Sequence, residues 1–254
     1  MSPALEARAL LLDTHPYREA DLVVRLFLPD RGNVSAMARS ARSSRKRFPS
    51  GLDRLTLADV RLSSRSGRGM PTLESAQVVE VWWNVRSDIG KVAAASLLAE
   101  LLLKAHVEPG EAGPLFEFAC AVLNRLDSAQ QASGEPAALL AAGGILHRLH
   151  LLPRPLVCSR CFAKDAAAPT FPAWLDGSTG ELRCNAHVER RSQSLALQEH
   201  ELQLLTLAGG DPSDFPIGPE LAAIASPVLQ RLEPLLVRTF GSNLRSLAFL
   251  REIS

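Results

Sequence analysis

The sequence predicts an α+β protein in which a small N-terminal β-barrel precedes a helical region. Three observations predict this fold class. Short apolar segments separated by turn residues fill the first eighty residues, the apolar spacing becomes helical after Ser87, and two close pairs of metal-ligating residues interrupt the helical region near residue 160. With 254 residues the chain has room for two domains, which we predict at residues 1–82 and 83–254.

Five strands are predicted before residue 82, because β-branched and large apolar residues cluster between turn signals. They cover residues 5–13, 21–28, 33–39, 55–62 and 72–81. The Pro-Asp-Arg-Gly turn at residues 29–32 predicts a hairpin, since proline presets φ and glycine tolerates positive φ. In the fourth strand the alternation slips between Leu57 and Val60, which predicts a β-bulge there.

Five short strands in about eighty residues are typical of the oligonucleotide/oligosaccharide-binding (OB) barrel. OB barrels often place a helix between their third and fourth strands. Residues 40–54 have no apolar periodicity that would seat one. We therefore predict that this segment, called the basic loop below, is a mobile loop.

Helical spacing begins after Ser87 and Asp88, which are candidate N-caps. Helices are predicted near residues 89–105, 115–126, 136–150, 197–208, 219–240 and 244–252. Gly143 and Gly144 lie inside the third helix, where each costs roughly 1 kcal/mol relative to alanine. Their presence predicts that another helix crosses closely at this point.

The net charge of +1 conceals a basic N-terminal part. Residues 1–86 hold fourteen Arg or Lys against nine Asp or Glu, whereas residues 87–254 hold fourteen against eighteen. Between Arg31 and Leu52 there is no carboxylate side chain. Because the arginine fork fits phosphate oxygens and stacks on bases, this distribution favours a polyanionic partner.

The candidate nucleic-acid site consists of basic side chains on strand ends and loops, with one aromatic ring among them. The basic members would neutralise phosphates without reading sequence, and Phe48 would stack on a base. The set is Arg39, Arg42, Arg45, Lys46, Arg47, Phe48, Arg54 and Arg68. The alternative is a solvated arginine loop that meets an acidic protein partner.

A second candidate site combines a CxxC pair with a CxxH pair. Cys158 and Cys161 form the first, Cys184 and His187 form the second, and 22 residues separate them. Each knuckle directs two ligands at one centre, and a hairpin with its turn at residues 176–180 would bring the knuckles together. The spacing predicts one structural, tetrahedral Zn²⁺ in an insert at residues 157–188.

Three other interpretations of these residues stay open. A redox-active CxxC would need a βαβ unit and a thiolate at a helix N-terminus, and neither is visible in the sequence. His187 is also compatible with a surface position, leaving the metal absent or three-coordinate. A catalytic zinc would need an open coordination position, which four protein ligands do not leave.

Several classes of function are not expected. The sequence has no GxxxxGK[ST] motif and no paired carboxylates spaced for acid–base work, so we do not expect an enzyme. No apolar run approaches the ~20 residues of a membrane span, and the N-terminus lacks the basic region and cleavage site of a secretory signal. We expect a cytoplasmic protein with no membrane partner.

Four segments resemble the RecO family, the bacterial recombination mediators of the RecF pathway. They are residues 15–21 (HPYREAD), 26–32 (LFLPDRG), 34–42 (VSAMARSAR) and 244–251 (LRSLAFLR). The two cysteine-bearing knuckles stand where many members of that family carry a zinc site. The resemblance covers nearly the whole chain.

The resemblance implies an N-terminal OB domain that binds single- and double-stranded DNA, followed by a helical domain with a zinc insert. It further implies binding to the C-terminal tail of single-strand-binding protein (SSB), cooperation with RecR, and help in loading RecA onto coated strands. Annealing of complementary strands, without covalent chemistry, and a place at the nucleoid are also implied.

Two positions depart from the family pattern. The family often has glycine where Ser40 stands, and its usual fourth zinc ligand is cysteine where this chain has His187. The alternative function is a zinc-ribbon protein-interaction or transcription-associated adaptor without DNA annealing. Tight partner binding without DNA affinity would distinguish it.

Overall fold

The computed structural model of the chain describes residues 4–49, 51–64, 69–108, 110–152, 156–162, 170–177, 179–189 and 194–253. These residues form two compact units. The first comprises Met1–Trp83 and His106–Glu117, and the second comprises Asn84–Ala105 and Phe118–Ser254. The predicted division at residue 82, as a boundary between independent domains, stays a prediction.

In the described residues of the first unit, five strands form a closed barrel, as the turn-separated apolar segments predict. The strands are β1 (Leu5–Pro16), β2 (Leu22–Leu28), β3 (Gly32–Ala38), β4 (Thr56–Ser63) and β5 (Thr72–Val81). Around the barrel their order is β1-β2-β3-β5-β4, and β4 closes back on β1. Every pairing is antiparallel except β3 with β5, which meet in parallel at Met37 and Thr72. This arrangement confirms the α+β class with an OB-like barrel.

The predicted bulge lies on a different strand. Along β4, Thr56, Ala58, Val60 and Leu62 point into the core in regular alternation. The register with β5 shifts between Leu57 and Ala58 because the extra residue belongs to β5. The apolar Leu57 is therefore an outward-facing residue, and its hydrophobicity made the alternation of β4 look irregular.

The basic loop is anchored to the barrel, and the prediction of a loop without a helix is confirmed for its described residues, while its predicted mobility stays a prediction. It forms successive turns, and the side chains of Phe48 and Leu52 lie in the barrel core, 3% and 6% exposed. The carbonyl of Arg47 accepts a hydrogen bond from the Ala76 amide of β5 at 3.1 Å. The loop thereby helps to close the gap where β3 and β5 barely pair.

Ser40, at the start of the basic loop, has φ +50°, in the left-handed region. A side chain there crowds the following carbonyl, and glycine avoids this crowding. The departure from glycine at this position, noted above, therefore carries a conformational cost. The Ser40 amide donates to the Asp21 carboxylate at 2.7 Å, which fixes the entry to the loop.

The described helices are α1 (Trp83–Arg86), α2 (Ile89–Lys104), α3 (Ala112–Ser128), α4 (Gly134–Arg148), α5 (Ser159–Phe162), α6 (Glu199–Ala208), α7 (Ala222–Phe240) and α8 (Arg245–Ile253). The six predicted helices are present in the predicted order as α2, α3, α4, α6, α7 and α8, whereas the four-residue helices α1 and α5 were not predicted. Asp88 caps α2 as predicted, since its carboxylate accepts the Lys91 amide at 2.9 Å. Helix α4 is buried along nearly its whole length and packs against α2, α6 and α7. It forms the centre of the second unit.

The two glycines of α4 permit close helix contacts, as predicted. A Cβ built on Gly143 would lie 2.9 Å from the Cβ of Ala208 in α6. One built on Gly144 would lie 2.1 Å from the ring of Phe118 and 2.9 Å from the Ala208 carbonyl. Either alanine would collide with its neighbour.

A small sheet of order β7-β6-β8 lies in the described part of the cysteine-bearing region. Its strands are β6 (Ala173–Asp176), β7 (Leu182–Arg183) and β8 (Ser194–Leu197). The predicted hairpin is confirmed, with the Gly180 amide bonded to the Asp176 carbonyl at 2.8 Å. Strand β8 was not predicted, and its last residue, Leu197, was predicted to begin the next helix. Over the described residues, no helix has both the length and the apolar content to cross a bilayer.

Candidate nucleic-acid interface and metal centre

The basic loop and the first two strands border an open groove of about 660 Å³ on the barrel. Thr14, Pro16 and Leu22 line it from β1 and β2, and Arg42 and Arg45 line it from the loop. A groove with guanidinium groups on its rim can accept a phosphate backbone.

Four cations near this groove are exposed. Arg39, Arg42, Arg45 and Lys46 all extend into solvent. Within the residues that the structure describes, none of the four forms an ion pair with a carboxylate. Their positive charge is thus available to a polyanion, although the exposed Asp53 also lines the groove.

Other arginines of the barrel face their own carboxylates. Arg8 pairs with Asp59 at 3.0 Å, across β1 and β4. Arg61 pairs with Glu74 at 3.2 Å and lies 3.6 Å from Glu6. On the outer surface of β1, β4 and β5 these arginines are therefore compensated by carboxylates, whereas the four exposed cations named above form no such pair.

Two of the predicted DNA-contacting arginines are engaged within the protein. The Arg47 guanidinium donates to the Arg39 carbonyl at 2.7 Å and to the Ser44 hydroxyl at 3.0 Å. Arg54 donates to the Leu12 carbonyl at 3.2 Å and lies 3.4 Å from the Asp13 carboxylate. Both side chains hold the loop in place. Arg68, also predicted, lies outside the described residues.

Phe48 does not fit the predicted role of a base-stacking residue. Its ring is 3% exposed and packs in the barrel core, so it offers no open face to a base. The residue next to it, Arg47, holds its guanidinium carbon 5.3 Å from the ring centroid. Phe48 is a core residue of the barrel. It was predicted in the site because the residues around it in the sequence are charged, and a local pattern does not show that its ring is buried.

The turn between β1 and β2 (residues 17–21) was given no role by sequence analysis, yet it is joined to the basic loop. The Arg42 amide donates to the Ala20 carbonyl at 3.2 Å, and the Ser40 amide donates to the Asp21 carboxylate. The turn and the loop therefore form one continuous surface.

The second site brings together all four predicted metal ligands. The Sγ atoms of Cys158, Cys161 and Cys184 and a ring nitrogen of His187 lie within 4.8 Å of one another. The Cys161 and Cys184 sulfurs are 3.7 Å apart, and His187 Nδ1 lies 3.2 Å from Cys184 Sγ, 3.4 Å from Cys161 Sγ and 3.7 Å from Cys158 Sγ. Tetrahedral Zn²⁺ with ordinary bond lengths would place sulfurs about 3.8 Å apart and sulfur about 3.6 Å from nitrogen.

Local structure aims the ligands at one point. Cys158 and Cys161 flank the start of α5, whose single turn carries both sulfurs to one side. A tight turn after β7 does the same for the other pair, since the His187 and Val188 amides both donate to the Cys184 carbonyl. The antiparallel pairing of β6 with β7 joins the two knuckles.

Thiol ionisation in this cluster is uneven. Burial raises the pKa of the Cys184 thiol, but hydrogen bonds from Thr170, Ala186, Cys161 and His187 together lower it to about 6. Burial and the neighbouring Cys184 and Cys158 sulfurs raise the pKa of Cys161 to about 11. Crowded sulfurs oppose one another's ionisation, and a divalent cation at their centre would remove that repulsion.

The cluster is suited to a structural metal ion. Three soft sulfurs and one imidazole are a donor set that holds Zn²⁺, and four protein ligands leave no open position for a substrate. The catalytic interpretation therefore has no support from this geometry. All four residues of this cluster were predicted from the sequence, because the members of each pair lie three positions apart in the chain.

Known proteins and family models match this chain over residues of both units. The family model described as Recombination protein O N terminal matches residues 1–82, and the model described as Recombination protein O C terminal matches residues 86–232. The DNA repair protein RecO of Anaeromyxobacter dehalogenans (strain 2CP-C) is 34% identical over 242 residues, covering 93% of this chain and 92% of that protein. The DNA repair protein RecO of Pelobacter propionicus is 30% identical over 250 residues, covering 97% and 96%. That of Geobacter sulfurreducens is 26% identical and covers 98% of both chains.

Proposed function

The chain belongs to the RecO family of DNA repair and recombination proteins, and from this premise we propose that it binds single- and double-stranded DNA and anneals complementary strands. The observation that supports this most directly is the set of exposed cations at the groove. Arg39, Arg42, Arg45 and Lys46 are exposed, and none of them forms an ion pair with a carboxylate of the described residues.

Annealing needs no bond to be made or broken. Two strands repel each other through their phosphates, and a surface that neutralises one of them lowers the barrier to their encounter. The basic loop supplies this neutralisation from a fixed position, because Phe48 and Leu52 anchor it in the barrel. The proposed mechanism is therefore electrostatic and independent of sequence.

The proposed partners follow from the family. We propose that the protein acts at the nucleoid in the cytoplasm, on strands coated with SSB whose C-terminal tail it binds. With RecR it would help to load RecA onto those strands. A strand-exchange assay that starts from SSB-coated DNA, with and without RecR, tests this step.

Salt dependence tests the electrostatic mechanism. If four cations each neutralise one phosphate of a single strand, the logarithm of the binding constant should fall with log salt with a slope of about −3. Replacing Arg42 and Arg45 by glutamine should bring the slope to about −1.5 and slow annealing. The control carries Arg8→Gln and Arg61→Gln, the same charge change on the paired outer surface, and should keep the original slope. Equal slopes in the two variants would refute the assignment.

Annealing of bare and SSB-coated strands across a salt series tests the function itself. Acceleration of both, weakening with salt, is the expected result. Absence of DNA affinity at low salt would instead favour the adaptor function, in which the helices and the metal-bearing region bind protein partners.

We propose that the metal is Zn²⁺, held by Cys158, Cys161, Cys184 and His187. Metal analysis of protein purified after expression with zinc should give one zinc per chain. His187→Cys should retain it, because a fourth thiolate completes an equally closed shell, and His187→Ala should lose it. His200→Ala, on exposed α6 surface, is the matched control and should retain zinc. Zinc-free wild-type protein would refute the proposal.

A further inference from the structure

An exposed aromatic ring stands in the turn beside the basic loop. Tyr17 is 57% exposed. Among the other described aromatic residues of the first 83 positions, Phe27, Phe48 and Trp82 are at most 3% exposed, and Trp83 is exposed like Tyr17. An aromatic ring is usually buried, since it removes a large apolar area from water. A ring kept in solvent next to uncompensated cations is suited to a ligand that carries both aromatic and anionic groups.

Backbone hydrogen bonds fix the turn that carries this ring. The Tyr17 amide donates to the Asp21 carbonyl at 3.0 Å, which closes the turn. Pro16, the preceding residue, lines the same groove as Arg42 and Arg45. Because the Arg42 amide donates to the Ala20 carbonyl within the turn, the backbone that carries the ring is tied to the backbone that carries the loop cations.

The positive charge and the aromatic ring lie on different segments, the basic loop and the turn at residues 17–21. Within the turn, the Arg18 guanidinium carbon lies 5.5 Å from the centroid of the Tyr17 ring, and the exposed Glu19 opposes its charge. The turn therefore attracts phosphate weakly by itself. The basic loop supplies the attraction, and the turn supplies the flat surface.

We propose that Tyr17 stacks on one unpaired base of a DNA strand whose phosphates lie along the basic loop, an inference that rests on the proposed DNA binding. A base inside a duplex already has neighbours on both faces, so it has no face to offer the ring. Tyr17 then adds affinity for single strands alone, and it gives the protein a preference that phosphate contacts cannot produce.

Binding of a single-stranded oligonucleotide and of a duplex of equal length, measured by fluorescence anisotropy, tests the proposal. Tyr17→Leu keeps an apolar side chain but removes the ring. It should weaken single-strand binding about 5- to 150-fold, the range expected for one stacked base, with duplex binding and the salt slope unchanged. Tyr17→Phe should bind as wild type does. Trp83→Leu removes an exposed ring at the start of α1, in a different segment of the chain, and serves as the control.

The outcomes separate this inference from the proposed function. If wild type binds single strands and Tyr17→Leu binds them equally well, the stacking role is refuted and DNA binding stands. Equal weakening toward single strand and duplex also refutes stacking, since a structural or phosphate-contacting role would affect both. If wild type binds neither, the proposed function fails and Tyr17 loses its role with it.

Photocrosslinking provides a test on the unaltered protein. Tyr17 is the sole tyrosine of the chain. A single strand containing 5-iodouracil should crosslink to a tyrosine-bearing peptide when a base stacks on this ring. Crosslinks confined to peptides without tyrosine would overturn the proposal.

Discussion

Three side chains hold the basic loop on the barrel, each by a different interaction. Phe48 is buried, Arg47 donates to the Arg39 carbonyl and to Ser44, and Arg54 reaches the Leu12 carbonyl and Asp13. The exposed cations between and beside these anchors extend into solvent, where the proposed DNA contacts would form. At the scale of single residues, neighbours in the sequence therefore divide into anchors and proposed contacts.

Replacing Phe48 by alanine should reduce the free energy of unfolding by about 3–5 kcal/mol, because the change removes a core ring and leaves a cavity. Phe48→Leu should cost less, since it retains much of the apolar volume. Urea denaturation measures both. Arg45→Ala, an exposed change in the same loop, should stay within about 0.5 kcal/mol of wild type. An equally small effect of Phe48→Ala would contradict its assignment to the core.

Replacing Ser40 by glycine should stabilise the protein by up to about 1 kcal/mol, because glycine relieves the crowding at φ +50°. Ser40→Ala keeps a Cβ and should give no such gain. The thermal unfolding midpoints of the two variants decide the matter. The prediction does not survive if the glycine variant melts below the alanine variant.

The elements show which parts of the fold were predictable. Clusters of large apolar and β-branched residues between turn signals mark β2 and β4, and β2 pairs with β3 as the hairpin turn predicts. Strand β8 has four residues and acquires its identity by pairing with β6, information that no local pattern carries. The anchoring of the basic loop was hidden for the same reason, since Phe48 and Leu52 become core residues only once the barrel exists. The metal ligands were predictable because their spacing is local.

Helix α4 provides a test of packing at the scale of elements. Gly144→Ala should destabilise the protein by about 1–3 kcal/mol, although alanine favours helix, because its Cβ would overlap the Phe118 ring. Gly113→Ala in α3 is the matched control, because the nearest atom to its new Cβ, the Pro29 carbonyl oxygen, is 3.7 Å away. The control should be neutral or slightly stabilising. Similar unfolding free energies for the two variants would argue against a tight crossing.

At the scale of the whole molecule, the barrel and the cysteine-bearing region differ in what stabilises each of them. The barrel has a continuous apolar core, whereas the β7-β6-β8 sheet consists of strands of two to four residues. Strands this short bury little surface, so the proposed metal supplies much of the local stability.

Removal of the metal by a chelator should therefore lower the melting temperature by several degrees, and added Zn²⁺ should restore it. Differential scanning calorimetry of holo, chelated and reconstituted protein measures the change. Cys184→Ser should melt like the chelated wild type and should not respond to the chelator. If chelation leaves the wild-type midpoint unchanged, the site does not stabilise the fold.

The burial of Phe48 has a thermodynamic consequence for DNA binding. A loop that folds only on its ligand buries new apolar surface at that moment, and the binding heat capacity becomes strongly negative. Here the loop's apolar residues are already inside the barrel, so little surface remains to be buried. Titration calorimetry at several temperatures should give a binding enthalpy that hardly changes with temperature.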